Sequence, residues 1–222
     1  TIERVETELG WEFIQIYGLT ETAPLLTMNR CRAEWDDLDA AGRAAKLSRA
    51  GAPALGVSLE TAPDGELLAR SNHVLKSYWQ QPEATAEALA DGWFHTGDGA
   101  AIDDENYAAI LDRKKDVIIS GGENVSSIEV EDTLFSHPTV AEVAVIGVPD
   151  ERMGEVVGAF LRPAAGGSIV KKTLFDHLRR QLSPQKTPAL WFVVDEFPLT
   201  GSGKIQKFVL RKQWEDGEHK EI

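Results

Sequence analysis

The chain has 222 residues, 42% of them hydrophobic and 27% charged, which suits one large domain or two small ones with a real core. Its 36 acidic residues outnumber 23 basic ones, and the net charge of −13 argues against non-specific binding to nucleic acid or an anionic membrane surface. The lone Cys31 closes no internal disulfide, no zinc-ligand spacing occurs, no apolar run approaches the ~20 residues of a membrane span, and no signal-peptide pattern is present. A cytoplasmic protein is expected.

Residues 2–9 are too polar and short to carry a pattern. Residues 11–17 read as a mostly buried strand that Gly18 ends. Residues 31–50 are polar and Ala-rich, with Trp35 and Leu38 as the inward contacts. Short apolar pieces between Gly51 and Ser71, broken by Pro53, Gly56, Pro63, Asp64 and Gly65, predict a small antiparallel sheet. A helix follows over 82–89, with Pro82 at a tolerated early position and Gly92 as its stop. Residues 103–106 form a turn between two strands, the second over 107–111, and five charges at 112–116 interrupt it.

Beyond that cluster the pattern changes. Residues 117–119 are a short buried strand, and Ser126 or Ser127 caps a helix running to about Phe135 before His137-Pro138. Strands are expected over 140–148 and 156–161. Leu174, Leu178 and Leu182 mark a helix over about 170–182 that Pro184 closes, and 191–194 is a last strand. The fold class is α/β (α+β), with a mainly β piece over 1–113 and a compact α+β domain over 114–222.

Four segments combine glycine with charge in a way that packing alone does not require. In Tyr17-Gly-Leu-Thr-Glu-Thr22, Thr20 and Thr22 offer hydroxyls to a phosphate, Glu21 offers a hard oxygen to Mg²⁺, and Gly18 lets backbone approach a ligand. A solvated turn fits the same residues. In Gly92-Trp-Phe-His-Thr-Gly-Asp98, the Asp98 carboxylate can accept both cis hydroxyls of a ribose. His95, beside two aromatics, reads as a packed residue, because acid–base work needs a partner and the sequence names none. The charged cluster before Ser120-Gly-Gly-Glu-Asn124 is either a ligand passage lined by Gly121 and Gly122 or a solvated linker. The last segment, Pro198-Leu-Thr-Gly-Ser-Gly-Lys-Ile205, fails as a phosphate-binding P-loop, since Pro198 and Ile205 stand where Gly and Ser/Thr are needed. It leaves Lys204 on a Gly-flanked loop, in reach of an anion.

In this order the four segments resemble the adenylate-forming superfamily, and "YGLTET", "GWFHTGD", "DRKKDVIISGGENVSSIEVE" and "GSGKIQK" look most like fatty-acyl-CoA ligases. The resemblance implies a β-rich end of the large adenylate-binding domain followed by a small lid domain. It implies an enzyme using ATP, Mg²⁺ and CoA to convert a carboxylic acid to its CoA thioester through an acyl-adenylate. Residue by residue, it implies that Tyr17 packs on adenine, Thr20 contacts the α-phosphate, Gly18 belongs to the same nucleotide site, and Glu21 helps hold Mg²⁺. Asp98, assisted by Arg113, binds the ribose hydroxyls. Lys115 is the hinge of the small domain, Gly121 and Gly122 border the CoA arm, and Lys204 catalyses adenylation. The family's Ser/Thr/Gly-rich phosphate loop and acyl pocket do not occur in the chain, so a C-terminal fragment is expected whose partner is the missing N-terminal part of the same enzyme. Transfer to a carrier protein and a freestanding non-catalytic nucleotide-binding module are the alternatives.

Overall fold

In the computed structural model, which describes residues 1–201 and 203–222, the chain divides into two units, Thr1–Lys114 and Lys115–Ile222. The break falls inside the charged segment 112–116.

The first unit is built on two antiparallel sheets. Strands β1 (Gln15–Tyr17), β2 (Thr27–Asn29) and β3 (Ala52–Pro53) form one, and β4 (Ser58–Thr61), β5 (Glu66–Arg70), β6 (Phe94–Ile102) and β7 (Ala108–Arg113) form a four-stranded meander. Leu26, Ala69 and Phe94 are buried between them, with Tyr17, Leu19 and Leu75 packed alongside. Helices α1 (Ile2–Leu9) and α2 (Ala40–Leu47) pack on each other, and α3 (Pro82–Ala88) lies by β6 with proline in its first turn.

One segment without an expectation takes shape here, and two expectations are corrected. Residues 2–9 are helical despite their polarity: Gly10 adopts a left-handed cap whose N–H reaches Glu6 and Val5, and Arg43 of α2 binds Glu6. Only 15–17 of the 11–17 segment is strand, and Trp11, ahead of it, is 66% exposed. Trp35 is buried as expected, but Leu38 is 37% exposed.

The second unit sandwiches one sheet between helices. Strands β8 (Ile118–Ser120) and β9 (Glu123–Val125) form a hairpin, followed by α4 (Ser127–Phe135), β10 (Val140–Asp150), β11 (Gly154–Pro163), α5 (Lys171–Arg179), β12 (Leu190–Val193) and α6 (Lys207–Glu215). β11 is central: β10 pairs it antiparallel on one edge, while β8 and the parallel β12 share the other. The parallel pair is possible because α5 supplies the crossover. Alternation sorts the apolar run of β10 to both faces, with Val145 against Leu134, Leu174 and Leu178, and Ala144, Ile146 and Val148 against Leu210 of α6. A strand covered on both faces is apolar throughout, which is the pattern seen in 140–148.

The helix expected over 170–182 is regular only over Lys171–Arg179, and α6 is a helix for which no expectation was formed, with Leu210 buried and Phe208 69% exposed. Ser126 caps α4 by accepting the Glu129 N–H at 3.2 Å. Ser126→Ala is expected to cost about 1 kcal/mol, read as a shift in the denaturant midpoint with an unchanged slope.

Candidate functional site

The loop after β1 is dictated by backbone sterics. A Cβ on Gly18 would lie 1.6 Å from the Pro24 carbonyl oxygen, and the Leu26 N–H closes the loop on the Tyr17 carbonyl at 2.8 Å. Residues 20–22 form a single 3₁₀ turn. Thr22 is poorly placed to serve a phosphate: its hydroxyl is buried, receives the Leu19 N–H at 2.9 Å and has the Leu19 and Pro24 carbonyls in reach of its one hydrogen at 3.0 and 3.1 Å. Thr20 is exposed. Glu21 is fixed at both ends, its carbonyl accepting the Leu75 N–H at 2.7 Å and its Oε1 the Tyr78 hydroxyl at 2.9 Å.

Asp98 is the centre of this unit's polar cluster. It is 7% exposed, and its Oδ2 accepts the Tyr17 hydroxyl at 2.7 Å. Strand register places it opposite Arg113, whose Nε lies 3.5 Å from Oδ1. Burial, reinforced by the bond to Asp98, pushes the Tyr17 phenol far above its ordinary value, so it remains a donor at any physiological pH. An ionised carboxylate has about four acceptor positions, so with one oxygen bonded to Tyr17 and the other beside Arg113 it still has capacity for two hydroxyls. Tyr17, Asp98 and Arg113, 81 and 96 residues apart at the extremes of the unit, therefore meet at one place.

Next to them lies a residue that sequence reasoning missed. Glu66 is 5% exposed and accepts from His95 Nδ1 at 3.0 Å, from the Gly97 N–H at 2.8 Å and from Lys114 Nζ at 3.1 Å. Burial works against its charge, but these donors outweigh it and hold the carboxyl below the usual range. Glu66 is thus ionised at neutral pH, and His95 Nδ1 is the donor. His95 has the packed, hydrogen-bonded character expected of it, with a partner 29 positions away that spacing could not reveal.

In the second unit, Lys115 sits in a 3₁₀ turn, where its carbonyl accepts Arg211 Nη2 at 3.4 Å. Gly121 and Gly122 are the two-residue turn of the β8–β9 hairpin, with φ of 59° and 85°. Both angles demand the left-handed region, which explains a glycine pair at this spot. A Cβ on Gly121 would meet Met153 Cε at 2.5 Å, whereas Gly122 faces open space. Lys204 is exposed, on a tight loop where its N–H donates to Thr200 Oγ1 at 3.1 Å and its carbonyl accepts the Thr200 N–H at 2.8 Å. Ser202 of that segment lies outside the described residues. Among the described residues no helix is long and apolar enough to cross a membrane.

Residues 129–204 match the family model of the AMP-binding enzyme C-terminal domain. Feruloyl-CoA synthase from Amycolatopsis is 43% identical over 215 residues, which cover 92% of this chain and 42% of that protein. The structure of o-succinylbenzoate CoA synthetase from Bacillus subtilis, solved with its acyl-adenylate intermediate, matches with a TM-score of 0.84 at 32% identity, over 99% of this chain and 44% of that one. The same enzyme with ATP and a magnesium ion gives a TM-score of 0.81 at 33% identity, over 96% and 43%. The chain spans about two fifths of the length of the curated relatives it matches.

Proposed function

Since the chain belongs to the adenylate-forming, AMP-binding enzymes, we propose that it is the nucleotide-contacting end and small domain of an AMP-forming carboxylate–CoA ligase. The observation that carries this reading is the buried Asp98 carboxylate set between the Tyr17 hydroxyl and Arg113.

In the proposed reaction a substrate carboxylate oxygen attacks the α-phosphorus of ATP, the bond to pyrophosphate breaks, and acyl-adenylate forms. The CoA thiol then attacks the acyl carbon, AMP leaves, and the thiol proton passes to solvent. Asp98 accepts the two ribose hydroxyls, with Arg113 assisting. Tyr17 presents its ring to adenine, and Gly18 and Thr20 border the α-phosphate. Lys204 stabilises the charge that gathers as two anions meet. Lys115 is the hinge that withdraws Lys204 for the second step, and Gly121 and Gly122 then border the pantetheine arm. Bound Mg²⁺ would neutralise the departing pyrophosphate. Glu21 would hold it: Tyr78 occupies Oε1, which leaves a second carboxylate oxygen, and Mg²⁺ commonly takes one or two carboxylates together with substrate phosphates.

The sequence segments favour a fatty acid as substrate. An aromatic acid is the second reading, favoured by the 43% identity to feruloyl-CoA synthase. These 222 residues alone are expected to form no acyl-CoA, because no Ser/Thr/Gly-rich phosphate loop occurs in them. In the full-length enzyme, pyrophosphate release dependent on a carboxylic acid tests the activity, and fatty acids run against ferulate separate the two substrate readings. Asp98→Ala is expected to weaken AMP binding roughly 10- to 100-fold, the worth of hydrogen bonds to a charged group. Unchanged AMP affinity would remove the basis of the proposal.

A further inference from the structure

The strand pair that presents Asp98 is irregular. Between β5 and β6 the register runs from Glu66↔Gly99 to Leu68↔His95, so that residues 96–98 stand opposite the single Leu67. Two extra residues bulge out of β6, and Asp98 is the last residue of that bulge. Bulges re-aim side chains beside active sites, but they leave backbone groups without ladder partners. Side chains make up the difference here. Thr96 Oγ1 donates to the Leu67 carbonyl at 2.7 Å and receives the Asp98 N–H at 3.2 Å, while Glu66 Oε1 takes the Gly97 N–H at 2.8 Å. Gly97 itself has φ of 74°.

The other oxygen of the same carboxylate reaches the far side of the site. Oε2 receives His95 Nδ1 and Lys114 Nζ, and Lys114 directly follows Arg113, the cation beside Asp98. Asp64 adds a second bond to Lys114 at 2.7 Å. One buried carboxylate thus fixes the residue before Asp98 and the residue after Arg113.

We infer that Glu66 is a positioning residue of the nucleotide site: by closing the 96–98 bulge and anchoring Lys114 it holds Asp98 and Arg113 in the geometry that receives a ribose. It touches no substrate and acts through Asp98. This inference rests on the proposed role of Asp98, and the test separates the two.

The protein for the test is the full-length enzyme that carries this chain, and the probe is AMP. Two readouts are taken: hydrogen exchange at the Gly97 amide, and AMP affinity by calorimetry. Glu66→Ala is expected to speed Gly97 exchange at least roughly tenfold and to weaken AMP roughly tenfold, the size of one lost buried hydrogen bond. Glu66→Gln keeps an oxygen for the Gly97 N–H but turns an amide NH2 toward His95 and Lys114. It is expected to hold Gly97 exchange within about threefold of wild type while still weakening AMP roughly tenfold, which keeps the test open if the alanine variant fails to fold. Wild-type AMP affinity in Glu66→Gln would overturn the anchoring of Lys114. In an Asp98→Ala background, Glu66→Ala is expected to add no further loss, because a residue acting only through Asp98 is non-additive with it. Unchanged Gly97 exchange in Glu66→Ala would overturn the inference and leave the Asp98 reading standing, as would fully additive losses. AMP binding indifferent to Asp98→Ala would instead sink the functional reading, with the Gly97 readout still reporting on the bulge.

Discussion

Lys204→Gln is expected to slow acyl-adenylate formation roughly 10²- to 10³-fold while leaving thioester formation from supplied acyl-adenylate at the wild-type rate. In the proposed reaction the first half-reaction brings two anions together and concentrates further charge on the phosphoryl oxygens, so a fixed cation at Lys204 would lower its barrier. The second expels AMP, already a good leaving group, and has no such demand. Glutamine keeps most of the length and polarity of lysine but not the charge, so the substitution isolates the electrostatic contribution. The loop that carries Lys204 is closed by its own backbone, through the Thr200 N–H to the Lys204 carbonyl and the Gly203 N–H to the Thr200 carbonyl at 2.9 Å, so its shape does not depend on the lysine head. Single-turnover release of pyrophosphate and of AMP in the full-length enzyme, measured separately, checks the expectation. Equal loss in both steps would assign Lys204 a structural role.

The second large effect concerns stability. Trp191 on β12 is 1% exposed, pairs in register with Ala159 of β11 and donates its indole N–H to the Pro188 carbonyl at 2.9 Å. It belongs to the cluster that joins the sheet to α4 and α5 through Leu134, Leu174 and Leu178. Trp191→Ala removes the largest fully buried side chain and leaves the Pro188 carbonyl without its donor, and a cost of about 3–5 kcal/mol is expected. Against the 5–15 kcal/mol that stabilises a typical domain, that is a large share. With six tryptophans in the chain, fluorescence does not isolate the effect. Hydrogen exchange does: amides of β10 and β11 should lose protection while those of β5 and β6 keep theirs. A loss below about 1 kcal/mol would mean that the cluster collapses around the gap.

The α/β fold class, most of the strands, the helices α3, α4 and α5 and the order of the four ligand-type segments were legible in the amino-acid sequence. These features are local. The apolar run 140–148 announces a strand, and Ser126 ahead of the 127–135 segment announces a helix start, each from chemistry a few residues wide. Local chemistry failed where a neighbour far along the chain decided the outcome. The helix α1 depends on its contact with α2, and α6 on Leu210 packing with Ala144, Ile146 and Val148 of β10. Thr22 shows the same limit at the site: a hydroxyl suited to a phosphate is instead bound within its own turn. Only the tertiary structure brings Tyr17, Asp98 and Arg113 to one point and places Glu66 beneath them. The physical reason is that hydrogen bonds and ion pairs form between atoms close in space, whereas periodicity and capping record only atoms close in sequence.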